Sequence, residues 1–114
     1  MAERKFITQN ISDSMFSDIT KDRVFTIEDL ELEDLRKEVD LKSYISNNGL
    51  LGLLRERGID FTPVSNKFQL EIGDSVYVIV PSADIKPYRE ADNLPTEITV
   101  KKVRKYTVIK RDSI

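Results

Sequence analysis

The sequence predicts a single α/β domain over residues 1–114, of the α+β kind: a mixed sheet of about five strands flanked by helices. Three observations predict it. Short apolar runs of alternating or continuous pattern, bounded by turn residues, read as strands. Two other stretches carry apolar residues at helical spacing. The length of 114 residues with 39% hydrophobic and 33% charged content supplies one modest core and is too apolar for a disordered chain.

Residues 4–11 read as the first strand, with Phe6, Ile7 and Ile11 apolar and the turn-prone Ser12-Asp13-Ser14 after it. Met15, Phe16 and Ile19 form an irregular apolar patch. Residues 23–27 read as a second strand, in which Arg23, Phe25 and Ile27 alternate with Val24 and Thr26. Residues 28–39 switch to helical spacing, with Leu32, Leu35 and Val39 on one stripe and a charged remainder. A second helix is expected over residues 50–58. Its N-cap is Asn47 or Asn48, its buried stripe Leu50, Leu51, Leu53 and Leu54, and its stop Gly58. Gly52 inside it costs roughly 1 kcal/mol against alanine, which is tolerable where another backbone comes close. Residues 66–72 and 75–80 read as a hairpin around Gly73-Asp74, and the continuous run at 76–80 marks a strand covered on both faces. Residues 81–96, with three prolines, read as a long loop. Residues 97–110 form the last strand. Its apolar phase breaks at Lys102 and Arg104, as a bulge or an extension past the sheet would require.

Composition removes several kinds of chemistry. There is no cysteine and no histidine. Disulfides, thiolate nucleophiles, Cys/His metal sites and histidine acid–base catalysis are therefore excluded. No spaced set of carboxylates suggests a metal, and no cofactor motif is present. The longest apolar runs, 76–80 and 50–54, fall far short of the roughly 20 residues of a membrane helix. Residues 1–5 do not lead into the apolar stretch of a secretory signal, so a cytoplasmic location is expected. The formal net charge is −2, which disfavours a generic DNA binder. The charge is unevenly spread. Seven acidic residues lie between Glu28 and Asp40, and six basic residues with no acid lie between Lys101 and Arg111.

Candidate binding residues fall in five places. Ser46, Asn47 and Asn48 stand before a helix, where backbone N–H groups attract anions; helix capping accounts for the same residues. Asn10, Ser12 and Ser14 follow the first strand, where sites often lie, although turn chemistry also explains them. Lys102 and Arg104, with Lys101 and Lys105, either attract a polyanion or guard a strand edge. Arg55 and Arg57 suit a phosphate or the helix C-terminus. Tyr88, on the loop, is placed to stack on a base, whereas Tyr77 belongs to the core.

The segments Ser43-Tyr44-Ile45-Ser46-Asn47-Asn48, the Leu-rich helix ending in Gly58, and Leu70-Glu71-Ile72-Gly73-Asp74-Ser75-Val76-Tyr77-Val78-Ile79-Val80 together carry a resemblance. The chain resembles the small α/β proteins of archaeal viruses, bacteriophages and mobile genetic elements that include the viral type III anti-CRISPR ring nuclease. The likeness runs from about residue 5 to residue 80 and weakens beyond. The family pattern Ser-x-Ile-Gly-His reads Ser43-Tyr44-Ile45-Ser46-Asn47 here. The family's catalytic histidine thus corresponds to Asn47, or to Ser46 if the alignment slips by one. Its Arg-Leu-x-Glu-Gly-Lys segment is absent, and Arg89-Glu90 is the nearest match in that stretch.

The resemblance implies a homodimer with the ligand pocket across the subunit interface, and a cyclic oligoadenylate, above all cyclic tetra-adenylate, as ligand. Losing a positioned acid or base typically costs about 10²–10⁴-fold in rate. The expectation is therefore a counter-defence protein of the host cytoplasm that binds the messenger without cleaving it, with no catalytic residue. Two alternatives stay open. One is a ring nuclease with lysine or tyrosine as acid. The other is an inhibitor that binds a host defence protein and no nucleotide.

Overall fold

The computed structural model describes residues 4–9, 23–65 and 70–111. Six strands form one mixed sheet: β1 (Lys5–Thr8), β2 (Arg23–Leu30), β3 (Leu41–Ser43), β4 (Thr62–Pro63), β5 (Ser75–Pro81) and β6 (Val100–Lys110). Their spatial order is β2-β6-β5-β1-β3-β4. β1 is parallel to both neighbours, and β4 is parallel to β3. β6 runs antiparallel between β5 and β2. Helix α1 (Asn48–Glu56) and two 3-10 helices (Leu32–Lys37 and Lys86–Tyr88) complete the domain. The α+β class holds, with one strand more than expected.

The main core lies on the sheet face that carries Ile7, Tyr77, Ile79 and Val103. α1 packs there through Leu50, Leu53 and Leu54, joined by Leu32 and Leu35 of the first 3-10 helix. Leu35, Leu50 and Leu54 are fully buried, each contributing roughly 2 kcal/mol of apolar transfer. The opposite face is closed more thinly by Phe6, Leu70, Val76 and Val108, with Phe25, Tyr44 and Val78 alongside. β5 is therefore covered on both sides, as its continuous apolar run predicts.

α1 begins and ends as the sequence signals. Asn47 is the N-cap, and Gly58 follows the C-cap at φ +81°. The Gly58 N–H bonds to Arg55 O and the Ile59 N–H to Leu54 O, both at 3.0 Å. These are the paired bonds of a Schellman stop, with Ile59 returning to the core beside Leu54. A Cβ at Gly52 would collide with the backbone oxygen of Asp92, so the glycine does mark a close approach.

Four expectations need correction. The helix expected over 28–39 is only the 3-10 helix Leu32–Lys37, because β2 runs on through Leu30. Glu28, Asp29 and Leu30 sit opposite Lys105, Arg104 and Val103. Those cross-strand pairs outweigh local helical spacing. The turn after Lys37 is extended, which leaves Val39 68% exposed rather than on the buried stripe. The expected hairpin of 66–72 with 75–80 is absent. β5 is bonded to β1 on one side and β6 on the other. Leu70 and Glu71 are irregular and Ile72-Gly73 turns, with Gly73 at φ +96°; residues 66–69 lie outside the described residues. The segment 41–43, unassigned from sequence, is strand β3. The first and last strands are shorter than expected, at Lys5–Thr8 and Val100–Lys110. The bulge is present: the register slips between Val80 opposite Lys102 and Pro81 opposite Val100.

Among the described residues no helix is long and apolar enough to cross a membrane.

Candidate ligand-binding site

In a sheet with parallel strands, ligands favour the carboxyl ends of the strands, next to the strand where the order reverses. Here that strand is β1, with β3 and β4 to one side and β5 and β6 to the other. The β1–β3 ladder continues one residue past β3, from the Tyr44 N–H to Ile7 O at 2.9 Å. The chain then reaches Ser46, Asn47 and Asn48 at the start of α1.

Asn47 is 3% exposed and ties three segments together. Its Oδ1 accepts from the Leu50 N–H at 3.0 Å, the ordinary N-cap bond. Its Nδ2 donates to Ile85 O at 2.9 Å. Its backbone N–H donates to Gln9 Oε1 at 3.3 Å. The side chain thus links α1 to the segment after β5, and the main chain links α1 to the end of β1.

The loop after β5 is an ordered arch over this corner. Its base is closed by the Ser82 N–H to Thr99 O at 2.8 Å and the Thr99 N–H to Ser82 Oγ at 2.9 Å. Ile85 and Leu94 are its buried anchors. The crown rests on the first half of α1. A Cβ at Gly49 would lie 2.9 Å from both Tyr88 O and Leu94 Cδ2. With Gly52 against Asp92, one glycine per helical turn lets the arch sit on the helix backbone. Arg89 comes to the helix N-terminus, where its carbonyl accepts from the Asn48 N–H at 2.9 Å.

The structure therefore brings Ser46, Asn47, Asn48 and Arg89 together. Ser46, Asn48 and Arg89 have exposed side chains. The backbone anion site expected there is largely used within the chain. The Asn48 N–H is taken by Arg89 and the Leu50 N–H by Asn47. Any ligand at this corner meets side chains first. Tyr88 is half-buried against the main core, so it is less open to stacking than its loop position suggested.

Lys102 and Arg104 are elsewhere. In register with Val80 and Val78, they lie on the sheet face opposite Val103 and α1. Both meet the carboxylate of Asp29, Arg104 Nε at 3.2 Å and Lys102 Nζ at 3.7 Å. The hydrogen bond that Arg104 donates to Asp29 raises the Arg104 pKa further and keeps it charged. The acidic middle of the chain is thus laid along its basic last strand. Arg57 accepts Arg36 Nε on its carbonyl at 2.6 Å, and the Arg55 guanidinium lies 5.0 Å from the centre of the Phe61 ring. Asn10, Ser12 and Ser14 lie outside the described residues, as do Met15, Phe16 and Ile19.

Three partners escaped the sequence reading: Gln9, the Ile85 carbonyl and Gly49. The Gly49/Gly52 pair, three residues apart in a Leu-rich helix, was the available signal. No pattern in the sequence marks a backbone carbonyl 38 residues away. No protein-family model matches this sequence, and no curated protein matches it.

Proposed function

We propose that this chain binds an anionic cyclic oligonucleotide of the oligoadenylate class at the corner formed by Ser46, Asn48 and Arg89, and holds it uncleaved. One observation carries the reading. The residue at the position where the resemblance expects a catalytic histidine is a buried amide with both polar ends bonded inside the chain. An amide supplies no proton at neutral pH. Asn47 acts here as a positioning residue that holds the arch and the helix together. Around it stand one exposed cation and two exposed polar side chains, a set able to bond phosphate oxygens and ribose hydroxyls.

In this reading the protein belongs to a virus or mobile genetic element and works by mass action. A tight binder in excess of a messenger lowers the free signal and starves the host effector.

The test is calorimetric titration of the purified protein with cyclic di-, tri-, tetra- and hexanucleotides, followed by chromatography of each mixture. Nanomolar binding with the ligand recovered intact supports the proposal. Arg89→Ala should then weaken binding by about 10–100-fold, as loss of a charge-assisted contact does. Linear products would make the protein a ring nuclease with another acid. Absence of binding across the panel would end both nucleotide readings and turn the search to a host defence protein.

A further inference from the structure

The two edges of the sheet are built differently. β4 ends one side with two residues, Thr62-Pro63, and a short edge with proline is a standard guard against further pairing. β2 ends the other side with eight residues, Arg23-Val-Phe-Thr-Ile-Glu-Asp-Leu30. Its register with β6 is unbroken from Arg23 to Leu30, so no bulge twists it away. It contains no proline, glycine or lysine. Thr26, Ile27, Glu28 and Asp29 are exposed, Ile27 at 61%. Among the described residues no other strand lies beyond it. A long, regular, partly apolar edge is a template for another strand.

The sequence of the edge names its partner. We infer that β2 pairs antiparallel with β2 of a second copy, about a two-fold axis at Thr26. Residues facing each other across that axis share a sheet face. Arg23 then faces the partner's Asp29, Val24 the partner's Glu28, Phe25 the partner's Ile27, and Thr26 its own equivalent. The register is self-complementary in charge and shape. The cation at one end of the strand meets the carboxylate at the other, twice. The exposed Ile27 gains an aromatic cross-strand neighbour, also twice. Arg23 donates from Nη1 to Leu70 O at 3.3 Å, and among the described residues no carboxylate is paired with it. Asp29 is 57% exposed although it already meets Lys102 and Arg104. Moving the axis to Phe25 or Ile27 would set Arg23 against Ile27 or Asp29 against Phe25, and the ionic match is lost. The result is a continuous sheet of twelve strands with the two short β4 edges outermost. This interface is separate from the proposed ligand corner, because β6 and β5 lie between β2 and β1, and it does not depend on the ligand.

The experiment uses the full chain, which has no native cysteine. Light scattering over a concentration series reads the assembly state. Thr26→Cys places two sulfurs across the axis, within the roughly 4.5–5.5 Å Cα separation of directly opposed antiparallel residues. Mild oxidation should trap it as a covalent dimer, while Thr62→Cys on the β4 edge stays uncrosslinked. Ile27→Lys should weaken self-association by about tenfold or more while unfolding remains cooperative. A monomer at every concentration overturns the inference. So does a dimer in which Thr26→Cys is trapped no faster than Thr62→Cys. In that second case the chain dimerises elsewhere, and the nucleotide titration still stands or falls by itself.

Discussion

Two buried polar residues hold opposite ends of β1 and β5, and they do it with opposite chemistry. Asn47 and Asp74 are each 3% exposed. Asp74 works where β1 and β5 begin. Its carboxylate takes Arg4 Nε at 3.1 Å and Arg4 Nη2 at 2.5 Å, and also accepts the Glu71 N–H at 2.8 Å. Asn47 works where those strands finish, joining Gln9, Ile85 and α1 through neutral hydrogen bonds. The first residue of β1 extends the contrast, since Lys5 is paired with Glu38 at 2.7 Å. The entry of β1 is charged and internally neutralised. Its exit is tied by an uncharged amide, with the exposed Arg89 beside it. A carboxylate at position 47 would repel the anion proposed to bind there, and an amide does not. One end is built to hold, and the other holds without adding negative charge.

The largest expected effect lies at the charged end. Asp74→Ala removes a fork from a partly exposed arginine and an acceptor from the Glu71 N–H. It should cost about 2–4 kcal/mol, read by denaturant unfolding. A loss near zero would show that the entry of β1 does not need its ion pair.

Next comes the neutral end. Asn47→Ala loses the helix cap and leaves Ile85 O without its donor, for about 1–3 kcal/mol. Asn47→Asp sharpens the comparison. It keeps the cap, loses the bond to Ile85, and adds the negative charge that this end lacks. Its buried carboxylate faces the Ile85 carbonyl, so it should lose at least as much stability as the alanine variant, and it should bind the nucleotide panel less well than wild type. Equal binding by wild type and the aspartate variant would mean that charge at this corner is irrelevant to the ligand.

The smallest effect concerns Glu38. The Lys5 hydrogen bond and charge hold its pKa below the usual carboxylate range, against a smaller opposing effect of burial. A carboxylate depressed in the folded state stabilises above its unfolded pKa of about 4.3, and that contribution fades as pH falls through the folded value. Solvent screening keeps it under about 1 kcal/mol. Glu38→Gln should therefore melt slightly lower than wild type at pH 7, with the gap closing below about pH 4. A gap that persists into acid would assign the effect to packing instead.

Legibility followed the range of the forces involved. The cap at Asn47 and the stop at Gly58 were visible because each is set by residues within a turn or two. The close approach at Gly52 and the break in β6 have distant partners, Asp92 and Pro81, but each leaves a local mark, a glycine in a helix and an interrupted apolar phase. Val39 was misplaced, and residues 28–30 were read as helix, because Leu32 and Leu35 supply genuine helical spacing next door. The apolar phase does not show that the preceding three residues have partners on a strand more than 70 positions away. The hairpin around Gly73-Asp74 failed for a related reason. The turn is real, but β1 occupies the ladder position beside β5. In the candidate site, the residues before α1 could be read, and their union with Arg89 could not.

By itself the sequence determined the α+β class, the helix with its caps, the long strands, most core residues and the absence of thiol and imidazole chemistry. These follow from local periodicity, capping and composition. The tertiary structure decided the rest. It made strands of residues 28–30 and of two segments only three and two residues long. It laid acidic β2 along basic β6 and lowered the arch onto α1. It also committed both ends of the Asn47 side chain. Short strands and buried amides are stabilised only by the groups they meet. Those groups are distant in sequence and become neighbours only when the chain has folded.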